Sequence, residues 1–361
     1  MHEFAGRRRT GPWRGSDPLD YFPMSEPFWA RYEDEDLLDL RLCDLGVRID
    51  ETPLQERVTR LHWELEDHGI ALRPHAWLSS EWFSPDGVPG IAIPFYLAHR
   101  RLMRLEHRMM LEVEGATERD CMKLLRHEAG HAVSTAYGLH RKKAWREVFG
   151  PVSKRYPTAY RPRPFSRNYV LHLPWWYAQA HPAEDFAETF AVWLQPRARW
   201  RRHYRGWPAL KKLEFVDQLM GEVAGKKPGV RSRRQIDPLR QLRGTLRAHY
   251  GRKQRKYGQD SPDFFQRDLR QLFPEPEDGH PSEAATRFLR RHQRRIREGV
   301  ARWTHAHAYT IDLVLRDMIA RSRDLKLRQV RPEEEALDDL QVFVTVQTMK
   351  YLQAGHRHIA L

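Results

Sequence analysis

Thr117-Glu118-Arg119-Asp120-Cys121-Met122-Lys123-Leu124-Leu125-Arg126-His127-Glu128-Ala129-Gly130-His131-Ala132-Val133, with Gly138 beyond it, decides the fold. The Thr117 hydroxyl is placed to cap a helix, Asp120 follows three residues on, and Glu118 complements the helix dipole. An apolar face runs through Met122, Leu124 and Leu125 to Val133, and Gly138 supplies a stop, which predicts a helix of about 20 residues. On that helix His127 and His131 stand one above the other, so their rings can hold one zinc ion. Glu128 is displaced by about 100° around the axis. Its carboxylate therefore lies beside the open position of the metal, where it can take a proton from water.

A catalytic zinc needs a third protein ligand. A longer histidine motif would require Gly at 134 and His at 137, where this chain has Ser134 and Tyr137, and is excluded. A carboxylate is available instead in Glu184-Asp185-Phe186-Ala187-Glu188, which begins 53 residues after His131. This segment sits on a second predicted helix from about Pro182 to Leu194, with His181 or Pro182 at its start and Pro196 beyond its end. Glu184 and Glu188 share one face, so one can bind the metal while the other orients a histidine from behind. Structural zinc sites are usually closed by cysteines, and neither Cys43 nor Cys121 is placed to help. Two cysteines in 361 residues exclude a disulfide scaffold and read as reduced, buried thiols.

The pairing of Leu125-Arg126-His127-Glu128-Ala129-Gly130-His131 with His181-Pro182-Ala183-Glu184-Asp185-Phe186-Ala187-Glu188-Thr189-Phe190 resembles the gluzincin-type zinc-binding metallopeptidases of bacteria. The resemblance runs over roughly residues 75–220; on the two helices and one tyrosine it is also similar to the active site of anthrax lethal factor. It implies that His127, His131 and Glu184 bind zinc, that Glu128 is the general base, and that Glu188 supports a histidine. It further implies that Tyr177, seven residues before Glu184, steadies the oxyanion, although Trp175 and Trp176 beside it suit a packing role as well. The implied fold is α+β, a zincin-like core with a small mixed sheet and active-site helices, followed by a mostly helical C-terminal domain. In such a core a peptide substrate adds as a strand to the edge formed here by Gly90 to Leu97, where Pro94 lacks one donor.

Elsewhere the chain reads as a mobile arm over residues 1–28, the catalytic domain over 29–225 and a basic helical domain over 231–361. Leu54, Val58, Leu61 and Leu65 predict a helix over 52–68 that stops at Gly69. Residues 141–173 read as a long connection, and beyond Gly229 the pattern is helical almost throughout, with one long helix from Glu283 toward Ile319 and a last one from Pro332 to Leu352. No stretch is apolar enough to cross a membrane, and no leader core is visible, so a cytoplasmic location is expected.

The formal charge of +14 is unevenly spread. Residues 1–130 carry 17 Lys+Arg against 24 Asp+Glu, whereas residues 131–230 carry 18 against 7 and residues 231–361 carry 27 against 17. Basic tracts interleaved with aromatics, at 197–212 and 231–257, suit phosphate contacts and base stacking, but no nucleic-acid motif accompanies them. The alternatives to a peptidase are a nucleic-acid-associated protein or a scaffold with a regulatory or vestigial zinc site. The basic surface can equally dock the acidic first third, including Glu33-Asp34-Glu35-Asp36, or rim the cleft and favour acidic peptide segments.

Overall fold

A computed structural model describes residues 26–110, 112–157, 159–160, 163, 166–257, 266–273, 282–304, 306–353 and 359–360. Residues 1–25 of the expected arm, together with 258–265 and 274–281 in the segment whose pattern reads as helical, lie outside the described residues. The protein is mostly helical and α+β. It opens with α1 (Asp34–Leu38) and α2 (Pro53–Asp67), then β1 (His75–Ser79), β2 (Gly90–Pro94) and α3 (Arg100–Met110). Next come α4 (Glu118–Tyr137), α5 (Lys143–Phe149), β3 (Ala159–Tyr160), α6 (Pro182–Leu194), α7 (Trp200–His203) and α8 (Ala209–Val223). Helices α9 (Leu246–Tyr257) and α10 (Gln266–Leu272) lead to β4 (Glu283–Ala284), α11 (Ala285–Thr304) and α12 (Ala308–Asp324), and then to β5 (Arg328–Gln329), α13 (Glu333–Gln353) and β6 (Ile359–Ala360).

Strands β1 and β2 form a parallel pair, His75 opposite Gly90 through Ser79 opposite Pro94, and two short antiparallel pairs join β3 to β6 and β4 to β5. The expected strand from Gly90 to Leu97 is shorter than its apolar run. Pro94 ends it, and Phe95–Ala98 turn into a 3-10 helix. Its outer edge is not free at the centre, because Ala92 exchanges backbone hydrogen bonds with Phe83.

Helix α4 begins where its caps place it. The Thr117 hydroxyl accepts from the Asp120 amide at 3.1 Å, and Gly138 turns left-handed at φ +61°. Its buried face, Cys121, Leu125, Ala129, Ala132, Val133 and Ala136, packs on β2 and α6. Helix α6 is buried on every side from Glu184 to Leu194, which an amphipathic surface helix would not tolerate. The Phe186 ring meets Trp145 at a tilt and Phe149 edge to face, at ring distances of 5.7 and 5.4 Å, and Phe190 meets Trp193 at 5.5 Å. Burying each such side chain contributes about 1.5–3 kcal/mol. Trp145 and Phe149 come from α5, a helix inside the stretch read as a plain connection; its apolar residues are too few for a periodic signal, and packing against α6 stabilises it.

Two further readings change. The single helix from Glu283 toward Ile319 is two helices, α11 and α12, because His307 leaves the helical path and caps α12, accepting from the Tyr309 amide at 3.1 Å. The break lets the pair fold back and bury Phe288, Leu289 and Ile296 with Ile311, Val314, Leu315 and Met318 in a second core with α13. Residues 226–245 hold only one 3-10 turn, at Leu239–Gln241. Instead this segment lies along β1, where Trp77 Nε1 donates to the Ile236 carbonyl at 2.9 Å and the Ser79 hydroxyl to that of Asp237 at 2.7 Å. Leu239, Leu246 and Tyr250 belong to the same core as α4 and α6, while the second core begins at Leu269. Cys121 is buried as expected, but Cys43 is only partly covered, and both thiols are free.

The basic segment does meet the acidic first third. Arg247 reaches Asp39 at 2.8 Å and Glu35 at 3.1 Å, and Lys253 reaches the buried Glu106 at 2.5 Å. Beside Lys253, His249 is buried against Phe95, and its Nε2 has no hydrogen-bond partner among the described residues. Burial, with Lys253 and Arg252 adding, pushes its pKa down to about 3. Unfolded histidine titrates near 6.5, so below that pH the unfolded chain binds the extra proton and stability falls toward pH 3. Urea unfolding at pH 6.5 and pH 5 should show wild type losing about 1.6 kcal/mol more than His249→Phe over that interval. Equal losses would mean that His249 is not held neutral.

Candidate metal centre

Two capped helices bring the site together. α4 presents His127 and His131 one turn apart, and α6 presents Glu184 in its first turn and Glu188 one turn later. The helices can approach closely because position 130 lacks a side chain: a Cβ built there would lie 2.8 Å from Ala187 Cα.

His127 Nε2 lies 3.0 Å from Glu184 Oε2, His131 Nε2 lies 3.2 Å from the same oxygen, and the two Nε2 atoms are 3.2 Å apart. These three side chains can hold a metal ion by geometry, with one donor atom from each lying within 4.8 Å of the others. For tetrahedral zinc, bonds of about 2.0–2.1 Å imply donor separations of roughly 3.3 Å. The chemistry of the donor set agrees. Glu188 Oε1 sits 2.9 Å from His127 Nδ1, while Glu188 Oε2 accepts from the Leu173 amide at 2.9 Å. A carboxylate can only accept there, so His127 carries a proton on Nδ1, and its Nε2 is turned toward His131 and Glu184. A metal ion fits between the three atoms at these separations.

The same contacts shift the protons of these groups. Burial alone would push both histidines down and Glu184 up, but the ion pairs outweigh it. They hold His127 well above the usual range, His131 above it, and Glu184 well below. Glu128 is buried beside them, and burial pushes its pKa up although both histidines oppose this. Asp185 turns away and pairs with Lys212 at 2.6 Å.

Tyr177 lies on the 3-10 turn Pro174–Gln179, its ring 5.4 Å from that of His127. Burial, then Glu184 and Glu128, hold its phenol well above the usual range, so it is a hydrogen-bond donor at neutral pH. The structure thus gathers His127, His131, Glu128, Glu184, Glu188 and Tyr177 in one place.

It also adds Tyr156, whose hydroxyl donates to Glu184 Oε1 at 2.6 Å and whose ring stacks on His181 at 3.8 Å. No spacing signals this contact, since Tyr156 comes from the long connection, 28 residues before its partner. His181 was legible as a possible helix start, and it does cap α6, but its second contact was not.

The curated proteins and the solved structures give no match to the chain. Residues 102–200, which carry both histidines, Glu128, Tyr156, Tyr177 and the two glutamates of α6, match the model of the family described as "putative zinc-binding metallo-peptidase".

Proposed function

We propose that the protein is a zinc-dependent peptide hydrolase, with His127, His131 and Glu184 as metal ligands and Glu128 as general base. The observation that carries this reading is the convergence of three possible ligand atoms at 3.0–3.2 Å on two helices, with a buried carboxylate next to them. Zinc held there supplies Lewis acidity, polarising a carbonyl oxygen and lowering the pKa of water. Glu128, raised by burial, takes the proton as water attacks the peptide carbonyl and gives it to the leaving amine. Tyr177 donates a hydrogen bond to the oxygen on which negative charge develops. Glu188 keeps His127 in the Nδ1–H form, so that Nε2 stays free for the metal.

The substrate is a peptide or protein. A preference for acidic segments would need free cations near the cleft. Of the basic residues flanking α6, Lys142 pairs with Glu222, Arg201 with Asp217 and Lys212 with Asp185, so such a preference would rest on the other arginines and lysines of 141–167 and 197–205. Among the described residues no helix is long and apolar enough to cross a membrane. The direct test incubates the zinc-loaded chain with a peptide library from a digested proteome. New peptide termini are expected with wild type and none with His127→Ala; identical peptide sets would overturn the assignment.

A further inference from the structure

Glu184 has two oxygens, and only Oε2 faces the histidines. A glutamate on the first turn of a helix can swing to offer either oxygen, or both, unless something holds the other one. Here Oε1 is the acceptor of the Tyr156 phenol at 2.6 Å. Tyr156 is nearly half exposed, so burial alone does not fix it, yet its ring is clamped. It stacks on His181 with centroids 3.8 Å apart and planes 21° from parallel.

The His181 ring is itself fixed at both nitrogens. Nδ1 accepts from the Ala183 amide at 3.2 Å, which caps α6, so the proton resides on Nε2. Nε2 then donates to the carbonyl of Lys154, two residues before Tyr156, at 2.8 Å. The contacts close a loop: from the start of α6 through His181 to residues 154–156, and back through Tyr156 to Glu184 on the same helix. A purely structural cap would need only the Ala183 contact. The stacking and the Lys154 contact are extra, and both bear on where the phenol sits.

We propose that Tyr156 and His181 are positioning residues that hold Glu184 with one oxygen committed to the phenol and the other to the metal. The proposal rests on the reading of the site as a zinc centre. It predicts that the two residues act as one unit, because His181 works only by holding Tyr156.

The test is zinc affinity, measured by competition with a chromophoric chelator for wild type, Tyr156→Phe, His181→Asn and the double variant. Phenylalanine keeps the stacking and removes the donor. Asparagine keeps a good helix cap and removes the stacking. Each single variant is expected to bind zinc about 10–100-fold more weakly, the usual effect of losing a partner behind a metal ligand. The double variant should be no weaker than the worse single one, and the unfolding temperature of metal-free His181→Asn should stay near that of wild type. Wild-type affinity in Tyr156→Phe, or losses that multiply in the double variant, would overturn the clamp alone. If wild type binds zinc no better than His127→Ala, the metal-site reading falls, and the clamp with it.

Discussion

Replacing Glu128 by Gln is expected to lower peptide hydrolysis by about 10²–10⁴-fold, the usual contribution of general acid–base catalysis, while zinc remains bound. The side chain keeps its shape and its buried place beside His127 and His131, but an amide cannot take a proton from water. Nor is Glu128 one of the three side chains whose donor atoms cluster, so its loss leaves the ligand set whole. His127→Ala should behave in the opposite order. It removes one of the three donors and also takes from the fully buried Glu188 carboxylate its His127 partner, leaving the Leu173 amide as a remaining donor to it. Zinc content should fall to background, with activity following it. Zinc analysis beside a hydrolysis assay on both variants separates the roles. Full activity in Glu128→Gln would sink the general-base assignment, and a full zinc complement in His127→Ala would sink the ligand assignment.

These two side chains were legible in the sequence because their chemistry is written at helical spacing. Thr117, Gly138 and the 3.6-residue apolar rhythm fixed one helix, and His181, Pro182 and Leu194 bounded the other. Glu184 and Glu188 share a face by the same arithmetic, so both sides of the centre could be written down before any contact was known. What could not be read depends on contacts between distant segments. Tyr156 reaches Glu184 from a stretch without periodicity, and α5 exists because Trp145 and Phe149 find Phe186. The extended path of residues 226–245 likewise depends on Trp77 and Ser79, more than 150 residues earlier. The break between α11 and α12 did leave a trace, since histidine before Ala308 can cap as His181 does, but the apolar rhythm on both sides masked it.

The charge asymmetry follows the same division. Its acidic and basic halves were plain in the composition, and a nucleic-acid surface was one way to use them. Arg247 and Lys253 use them inside the molecule, on Glu35, Asp39 and Glu106. The exposed pairs with Glu35 and Asp39 are screened by water and contribute little. The pair with Glu106 is buried, and removing either partner would leave an uncompensated charge at a cost of about 3–5 kcal/mol. The basic segment is therefore tied to the core that carries the site.

Gly130 connects packing to the candidate metal site most directly, and Gly130→Ala is the second variant expected to have a large effect. The added Cβ would stand 2.8 Å from Ala187 Cα, 3.2 Å from its carbonyl oxygen and 3.3 Å from its Cβ. The first two are backbone atoms of α6, so no rotamer relieves the clash and α4 must move away from α6. Normal carbon–carbon contact begins near 3.5 Å, which requires a shift of roughly 0.7 Å. That exceeds the ~0.5 Å within which a site must be held, and it separates His127 and His131 from Glu184 because the ligands are divided between the two helices. Overpacking costs about 1–3 kcal/mol, against up to 1 kcal/mol gained from alanine's helix preference. Net destabilisation with a loss of zinc affinity of about 100-fold or more is expected, at or beyond the top of the range for losing a partner behind a ligand. Adding Ala187→Gly should not restore binding, because the tightest contact is with Cα. Gly221→Ala provides the control: it makes the same chemical change in α8, where an added Cβ meets nothing within 4 Å. There the exchange should raise stability by about 0.5–1 kcal/mol and leave zinc affinity unchanged. Chemical unfolding and chelator competition on the two alanine variants measure both quantities, and a Gly130→Ala protein with wild-type zinc affinity would show that the close helix crossing is not what sets the site.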